Sequence, residues 1–345
     1  MKAKIAVAGA GIYGTTVAIR LAEQGHRVAL FDPLGIMRAA SAINQFRVHS
    51  GYHYPRSTET IHEVMEERAE FLEVFAGAIV KNSRHYYAIP KEGSLIPPAL
   101  FESVMTQFHL PLRPCRPDWM NFGFIDTCYE VKEQLYDPEL LRDLVTRRIE
   151  SLGIEFRQQN FDRSQRDQYD FLISACYGMG LSRGLFKAAK YQVAEKILIE
   201  LPKNLRGVAL VVVDGPFTAF DPYGSSHYSL FGSAKNTNHW TTTDPGEQIP
   251  QQYRTRLNGT FFEPVAFSRF EAMRVDSALT VPSSAQAVYM GSRFTMRVVE
   301  NNPVEDRRTL YVEEPSPREI HIFSGKVVGA VKAARQVAER VARDA

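Results

Sequence analysis

The apolar positions of this chain change period several times, and each change marks an element. Lys4 to Ala8 is a short, apolar, β-prone run ending in Gly9, after which Val17, Ala18 and Leu21 recur at helical spacing within Thr15 to Gln24. Gly25 stops that helix, and Arg27 to Phe31 is a second apolar run that closes on Asp32. The first 32 residues are therefore expected to form strand, tight turn, helix and strand, half of a Rossmann unit. Ile61, Val64, Met65, Phe71, Leu72 and Phe75 predict a helix from Thr58 to Phe75, with Ser57 or Thr58 as its cap. The stretch from Arg84 to Tyr129 changes character, being rich in proline and aromatic residues with short strands such as His85 to Ile89. At Asp137 the chain enters another helix, with Pro138 at its first position and Leu140, Leu141, Leu144 and Ile149 along it; Gly153 ends it before a strand at Ile154 to Arg157.

Tyr169 to Cys176 reads as a buried strand running into a glycine-containing turn. Gln192 to Glu200, Gly207 to Val213 and Ser226 to Gly232 are apolar or alternating over strand lengths and predict an antiparallel sheet, with little helix before about Pro250. Ile320 to Phe323 is a last strand, Ser324-Gly325-Lys326 a turn, and Val327 to Ala342 a long helix.

At 345 residues the chain exceeds the roughly 250 to 300 that one core supports, so two domains, or one with a large insertion, are expected. The 41 basic and 39 acidic side chains leave a net charge of +2 without a block of like charge, which gives no support to general nucleic-acid or membrane-surface binding. The three cysteines show neither CxxC spacing nor the even count of a secreted disulfide framework, and a reducing cytoplasm fits them best. Glycines interrupt the apolar N-terminus, no cleavage site follows it, and the later apolar run Val208 to Val213 is far below membrane-spanning length. No set of metal ligands is assigned.

Gly9-Ala10-Gly11-Ile12-Tyr13-Gly14 matches GxGxxG in the required place between a strand and a helix. Gly9 permits the tight turn, Gly11 lets the backbone approach a pyrophosphate, and Gly14 lets helix and strand pack closely. Asp32, 18 residues after Gly14, is placed to accept hydrogen bonds from an adenosine ribose, which argues against a 2'-phosphate and so against NADP. By itself the motif does not separate FAD from NAD.

The segment Ala40-Ser-Ala-Ile-Asn-Gln-Phe-Arg-Val-His-Ser-Gly-Tyr-His-Tyr-Pro-Arg56 is too polar for a core strand, and its Ser41 follows Asp32 by only nine residues. Here the chain resembles the D-amino-acid oxidase and glycine oxidase family of FAD-dependent oxidoreductases, in which a loop bearing Ser and Asn wraps the flavin. Tyr136-Asp137-Pro138, Asp170 to Gly178 and Phe323-Ser324-Gly325-Lys326 continue the resemblance in the same order. It implies an α/β fold: a discontinuous Rossmann-type FAD-binding domain around a central parallel sheet (residues 1–83, 135–190 and 286–345). An α+β substrate domain built on an antiparallel sheet is inserted into it (84–134 and 191–285). It also implies that Gly9, Gly11, Ile12, Tyr13, Gly14, Asp32, Ser41, Asn44, Arg47, His49, Ala175, Gly178, Ser324, Gly325 and Lys326 hold the cofactor. No cysteine matches the covalent flavin attachment of sarcosine oxidases, so FAD is expected to bind non-covalently, with a bond through His49 or His53 left open. Aromatic hydroxylases usually carry a Gly-Asp pair in their second flavin motif, and this chain has none.

The resemblance implies oxidation of a small substrate by hydride transfer to flavin N5 from a C–H next to nitrogen, in an amine or amino acid. A 2-hydroxy acid dehydrogenase and an NAD-dependent Rossmann dehydrogenase remain as alternatives, and the oligomeric state is open. Arg47, His53, Tyr54 and Arg297 are the candidates to face the substrate, though Arg47 equally suits the pyrophosphate and a histidine equally suits packing. Free amides at Gly325 and Lys326, with the following helix dipole, suit the negative charge of reduced flavin. Asp306-Arg307-Arg308-Thr309 is read as flavin rim or turn.

Overall fold

A computed structural model describes residues 2–186, 189–261, 264–301 and 309–344 of the chain. Asp306, Arg307 and Arg308 lie outside the described residues.

The six-stranded sheet is built on the expected Rossmann start. Lys4–Ala8 pairs in parallel with Arg27–Phe31 on one side and with Phe171–Ser174 on the other. Glu155–Arg157 and Glu319–Phe323 extend it in parallel, and Tyr311–Ser316 adds an antiparallel edge. Such a sheet needs both faces covered. Helix Ile12–Glu23 packs against helix Ala330–Asp344, whose buried stripe of Ala330, Ala333, Ala334, Val337, Ala338 and Val341 is small enough for close approach.

Among the described residues the second sheet has nine strands. The long strands Ala189–Glu200 and Val288–Glu300 pair antiparallel over their full length, and Ser229–Ser233, Thr218–Pro222 and Val208–Val212 follow. It departs from the antiparallel expectation at one place, where Val208–Val212 pairs in parallel with Arg84–Pro90. A hairpin cannot join parallel neighbours. Here the crossover is the intervening stretch that supplies two strands of the first sheet, Glu155–Arg157 and Phe171–Ser174.

Two helices in the aromatic-rich regions, Pro98–Gln107 and Phe270–Thr280, had no counterpart in the periodicity. The last helix begins at Ala330 rather than Val327, because the Lys326 carbonyl accepts a hydrogen bond from the Tyr13 hydroxyl (2.6 Å) and Val327 to Gly329 form a turn. Phe220 and Phe231 lie in the core of the second sheet. Cys115, Cys128 and Cys176 are free thiols, and the first two stand opposite each other across neighbouring strands with sulfurs 3.6 Å apart. Among the described residues no helix is long and apolar enough to cross a membrane.

Candidate active site

At the carboxyl ends of the central parallel strands the backbone is packed too tightly for side chains. Gly9 has φ +98°, and a Cβ there would stand 2.6 Å from the Ala175 carbonyl oxygen; a Cβ on Gly14 would overlap the Gly9 carbonyl. Gly11 is the N-cap of helix Ile12–Glu23 and has no side chain to cap it. Ser41 takes that place, its Oγ accepting from the Ile12 amide at 2.9 Å. Asp32 accepts from the amides of Ala10 and Leu34, both at 2.8 Å, and braces the turn from its far side. Gly178 (φ +69°) lies beside Val298 and Phe323.

The segment after Ala40 folds back over this end of the sheet. Asn44 ties it locally, its amide donating to the Ala40 and Ser41 carbonyls and its oxygen accepting from Phe46 N at 2.6 Å. Arg293 donates to the Ala42 carbonyl at 3.1 Å from the opposite sheet. Arg47 is fully buried between Glu133 (2.6 Å) and Asp221 (2.5 Å). Burial would lower its pKa, but the two carboxylates and Tyr87 outweigh that and hold the guanidinium charged. Burial likewise pushes Glu133 upward, yet His49, 3.5 Å away, and the Arg47 charge hold it well below the carboxylate range. For Asp221 burial wins and its pKa is raised. One guanidinium thus ionises the carboxylate that also receives Tyr87 OH (2.9 Å) and the Ser50 amide (3.0 Å).

Between this segment, the second sheet and the turn at 325 lies a cavity of about 180 Å³. Asn44, Arg47, His49, His53 and Tyr54 line it from the segment, and Gly325 and Lys326 from the turn. His49 and His53 are stacked, ring centroids 4.9 Å apart, with Tyr54 edge-on to both. The sheet contributes Lys196, Thr295 and Arg297. In a strand, alternate residues share a face. Lys196 opposes Arg293 and Ala194 opposes Thr295 on the paired strand, so these side chains stand on one face, with Leu198 in the core cluster that contains Phe46 and Tyr52.

A family model described as FAD dependent oxidoreductase, DAO, matches residues 4–160. Over those residues, a little under half of its length, the chain is similar to the DAO family of FAD-dependent oxidoreductases. Glycine oxidase from Geobacillus kaustophilus has the same fold, with a TM-score of 0.72 at 12% identity over 100% of this chain and 96% of that one. L-amino acid deaminase from Proteus vulgaris follows at 0.68 and 12% identity, covering 100% of this chain and 94% of that one. The FAD-dependent monooxygenase FPY4 of Fusarium mangiferae is 24% identical over 63% of this chain; the match spans 60% of that relative's length.

The match favours FAD over NAD as the dinucleotide of this chain. Its predicted site residues fall into two groups in space. Gly9, Gly11, Ile12, Gly14, Asp32, Ser41 and Ala175 gather at the helix N-terminus, whereas Asn44, Arg47, His49, His53, Tyr54, Arg297, Gly325 and Lys326 surround the cavity. Three further side chains of the set are engaged within the protein. Tyr13 reaches the Lys326 carbonyl; Ser324 Oγ accepts the Lys326 amide at 3.2 Å, so that amide is already used within the turn; and the Lys326 ammonium is buried against Glu63 and Glu67. The periodicity missed Lys196, Glu133 and Asp221. Only Asp221 carried a signal in the sequence, as a single charge set among apolar residues, for which burial demands a partner or a task; Lys196 follows Glu195, and Glu133 lies between Lys132 and Gln134.

Proposed function

We propose that this chain is an enzyme of the DAO family that binds FAD non-covalently, with its pyrophosphate over the Gly9 to Gly14 turn and its ring toward the cavity, and oxidises a small amine or amino acid at the C–H next to nitrogen. The two groups of residues described above fit such an elongated cofactor: a glycine turn without room for Cβ atoms at one end, and a polar cavity at the other. Asp32 has both oxygens already holding the turn and offers its remaining lone pairs to the ribose. The bound flavin supplies the hydride acceptor, and the chain's residues orient the substrate against it. Arg297 holds a substrate carboxylate from the sheet side. Arg47, with Glu133 and Asp221 on its guanidinium, acts as a rigid post that sets where His49 stands.

The observation that carries this reading is the placing of the basic side chains of Lys196 and Arg297 with the two histidines around one cavity. Anaerobic titration of the purified protein tests it. Bleaching of the flavin bands by amino acids or N-methyl amines alone is the expected result. Bleaching by 2-hydroxy acids instead selects C–O oxidation. Bleaching only by NAD(P)H replaces the proposal with a monooxygenase reading, in line with the name of the Fusarium relative.

A further inference from the structure

Among the described residues, two buried cations are matched with carboxylates. Arg47 has Glu133 and Asp221, and Lys326 has Glu63 and Glu67. Lys196 lines the cavity, yet among the described residues its amine makes no hydrogen bond or ion pair. Its place is kept open by the neighbouring strand: a Cβ on Gly232 would stand 3.0 Å from Lys196 Nζ and 3.1 Å from Gln45 Nε2. The charged groups around it are mostly of its own sign. Arg293 stands opposite on the paired strand, Arg297 lines the same cavity, and Arg47 approaches from the segment that also carries His49 and His53. Asp221 is the acid whose charge supports its protonated form, and Arg47 already occupies that carboxylate at 2.5 Å. The preceding residue, Glu195, belongs to the other face, where His239, Ser292 and the Arg269 amide bind it.

A lysine so placed is poised to exist as the neutral amine. Burial and Arg297 push it down and Asp221 opposes them, leaving it at about 8. Arg297 cannot serve as a base because a guanidinium does not give up its proton in the working range.

We infer that Lys196 takes the ammonium proton of the substrate, leaving the substrate nitrogen neutral before its neighbouring C–H bond is broken. This rests on the amine-oxidation reading above. In the step an N–H bond of the substrate ammonium breaks, its electron pair stays on the substrate nitrogen, and the proton joins the lone pair on Nζ. One positive charge is present before and after, so the cavity gains no net charge. The freed lone pair then assists departure of the hydride from the adjacent carbon. The proton on Nζ returns to solvent after product leaves.

Two measurements on the holoenzyme decide the matter. Anaerobic flavin reduction by an amine that bleaches the wild type is followed against pH for wild type, Lys196→Met and Lys196→Arg. The wild-type rate is expected to rise about tenfold per pH unit up to a break near 8 and then level off. Both variants are expected to lose the break and to fall by about 10² to 10⁴. Recovery of the rate by Lys196→Arg, which keeps a cation but not a base, overturns the inference, as does a break that persists in Lys196→Met. The second measurement does not depend on turnover or on the Met variant folding. Carbon-13 reductive methylation of the holoenzyme is expected to give one methyl-lysine resonance titrating near 8 that is absent from Lys196→Arg; a Lys196 resonance titrating above about 10, as an ordinary lysine does, overturns the inference. A wild-type flavin that no amine bleaches overturns the function itself and this step with it. Bleaching without a break near 8 overturns this step alone.

Discussion

Single residues here act through the space or the proton they refuse. Gly14 is the sharpest case, because a Cβ there would overlap the backbone oxygen of Gly9 and neither the strand nor the helix can yield without opening the turn. Gly14→Ala is expected to purify with a flavin-to-protein ratio well below wild type and to lose about 1 to 3 kcal/mol of stability, the range for overpacking a tight site. An absorbance ratio and melting temperature equal to wild type would refute it. His85 refuses a proton. Burial, reinforced by the Arg47 charge, lowers its pKa to about 3, while the unfolded chain titrates near 6.5. Its contribution is therefore fully present above about 6.5 and is lost as pH falls from there toward 3, by at most about 1.4 kcal/mol per pH unit. Urea unfolding at pH 7 and pH 5 should show a smaller acid loss in His85→Gln than in wild type, and equal losses would exclude His85 as the cause.

Elements were legible where their ends are decided locally. Asp137 caps helix Pro138–Ser151 by accepting from the Glu139 and Leu140 amides, and Ser57 caps helix Thr58–Val74 through the Thr60 amide, both as their sequences predict. The start of the last helix was not, because it is set by a tyrosine 313 residues away that claims the Lys326 carbonyl. The parallel pairing of Arg84–Pro90 with Val208–Val212 was hidden for the same reason, being made between stretches that no local pattern connects. At the site, the loop of Ser41 to Tyr54 could be found from its polarity, but Lys196 acquires meaning only when its strand turns it onto the cavity, and Glu133 and Asp221 only when the fold brings them to Arg47. The turn after Phe323 is tied to helix Thr58–Val74 by Lys326, which burial sets against Glu67. Burial raises the Glu67 pKa and Lys326 restrains it. Lys326→Met removes that restraint and should raise it further, so a proton bound on folding makes the variant's deficit grow as pH rises. Its melting temperature is expected to lie further below wild type at pH 8 than at pH 5, and a deficit independent of pH would show that the ion pair is not what fastens the turn.

At the scale of the whole molecule, the residues that resemble a flavin site begin and end the chain. The parallel sheet takes Lys4–Ala8 and Arg27–Phe31 from the start, Glu155–Arg157 and Phe171–Ser174 from the middle, and Glu319–Phe323 from near the end. Without the last strand, Phe171–Ser174 would lose its outer neighbour; without helix Ala330–Asp344, the inner faces of Val17, Ala18 and Leu21 would lose part of their cover. The cavity would also lose Gly325, Lys326 and Val327 from its wall. The glycine turn is therefore not an independent binding module, although its sequence is complete by residue 32. A chain ending at Glu319 keeps every residue of the N-terminal fingerprint and of the Ser41 to Tyr54 loop, yet is expected to bind no FAD and to lack a cooperative unfolding transition. Supplying residues 320–345 as a separate peptide should restore little, because joining two pieces at ordinary concentrations forfeits the effective concentration of a tethered segment. Titration of added FAD by fluorescence quenching, alongside circular dichroism during melting, distinguishes the outcomes. Tight FAD binding by the truncated chain would mean that the N-terminal half holds the cofactor alone, and that the terminal turn closes the cavity without supporting the fold.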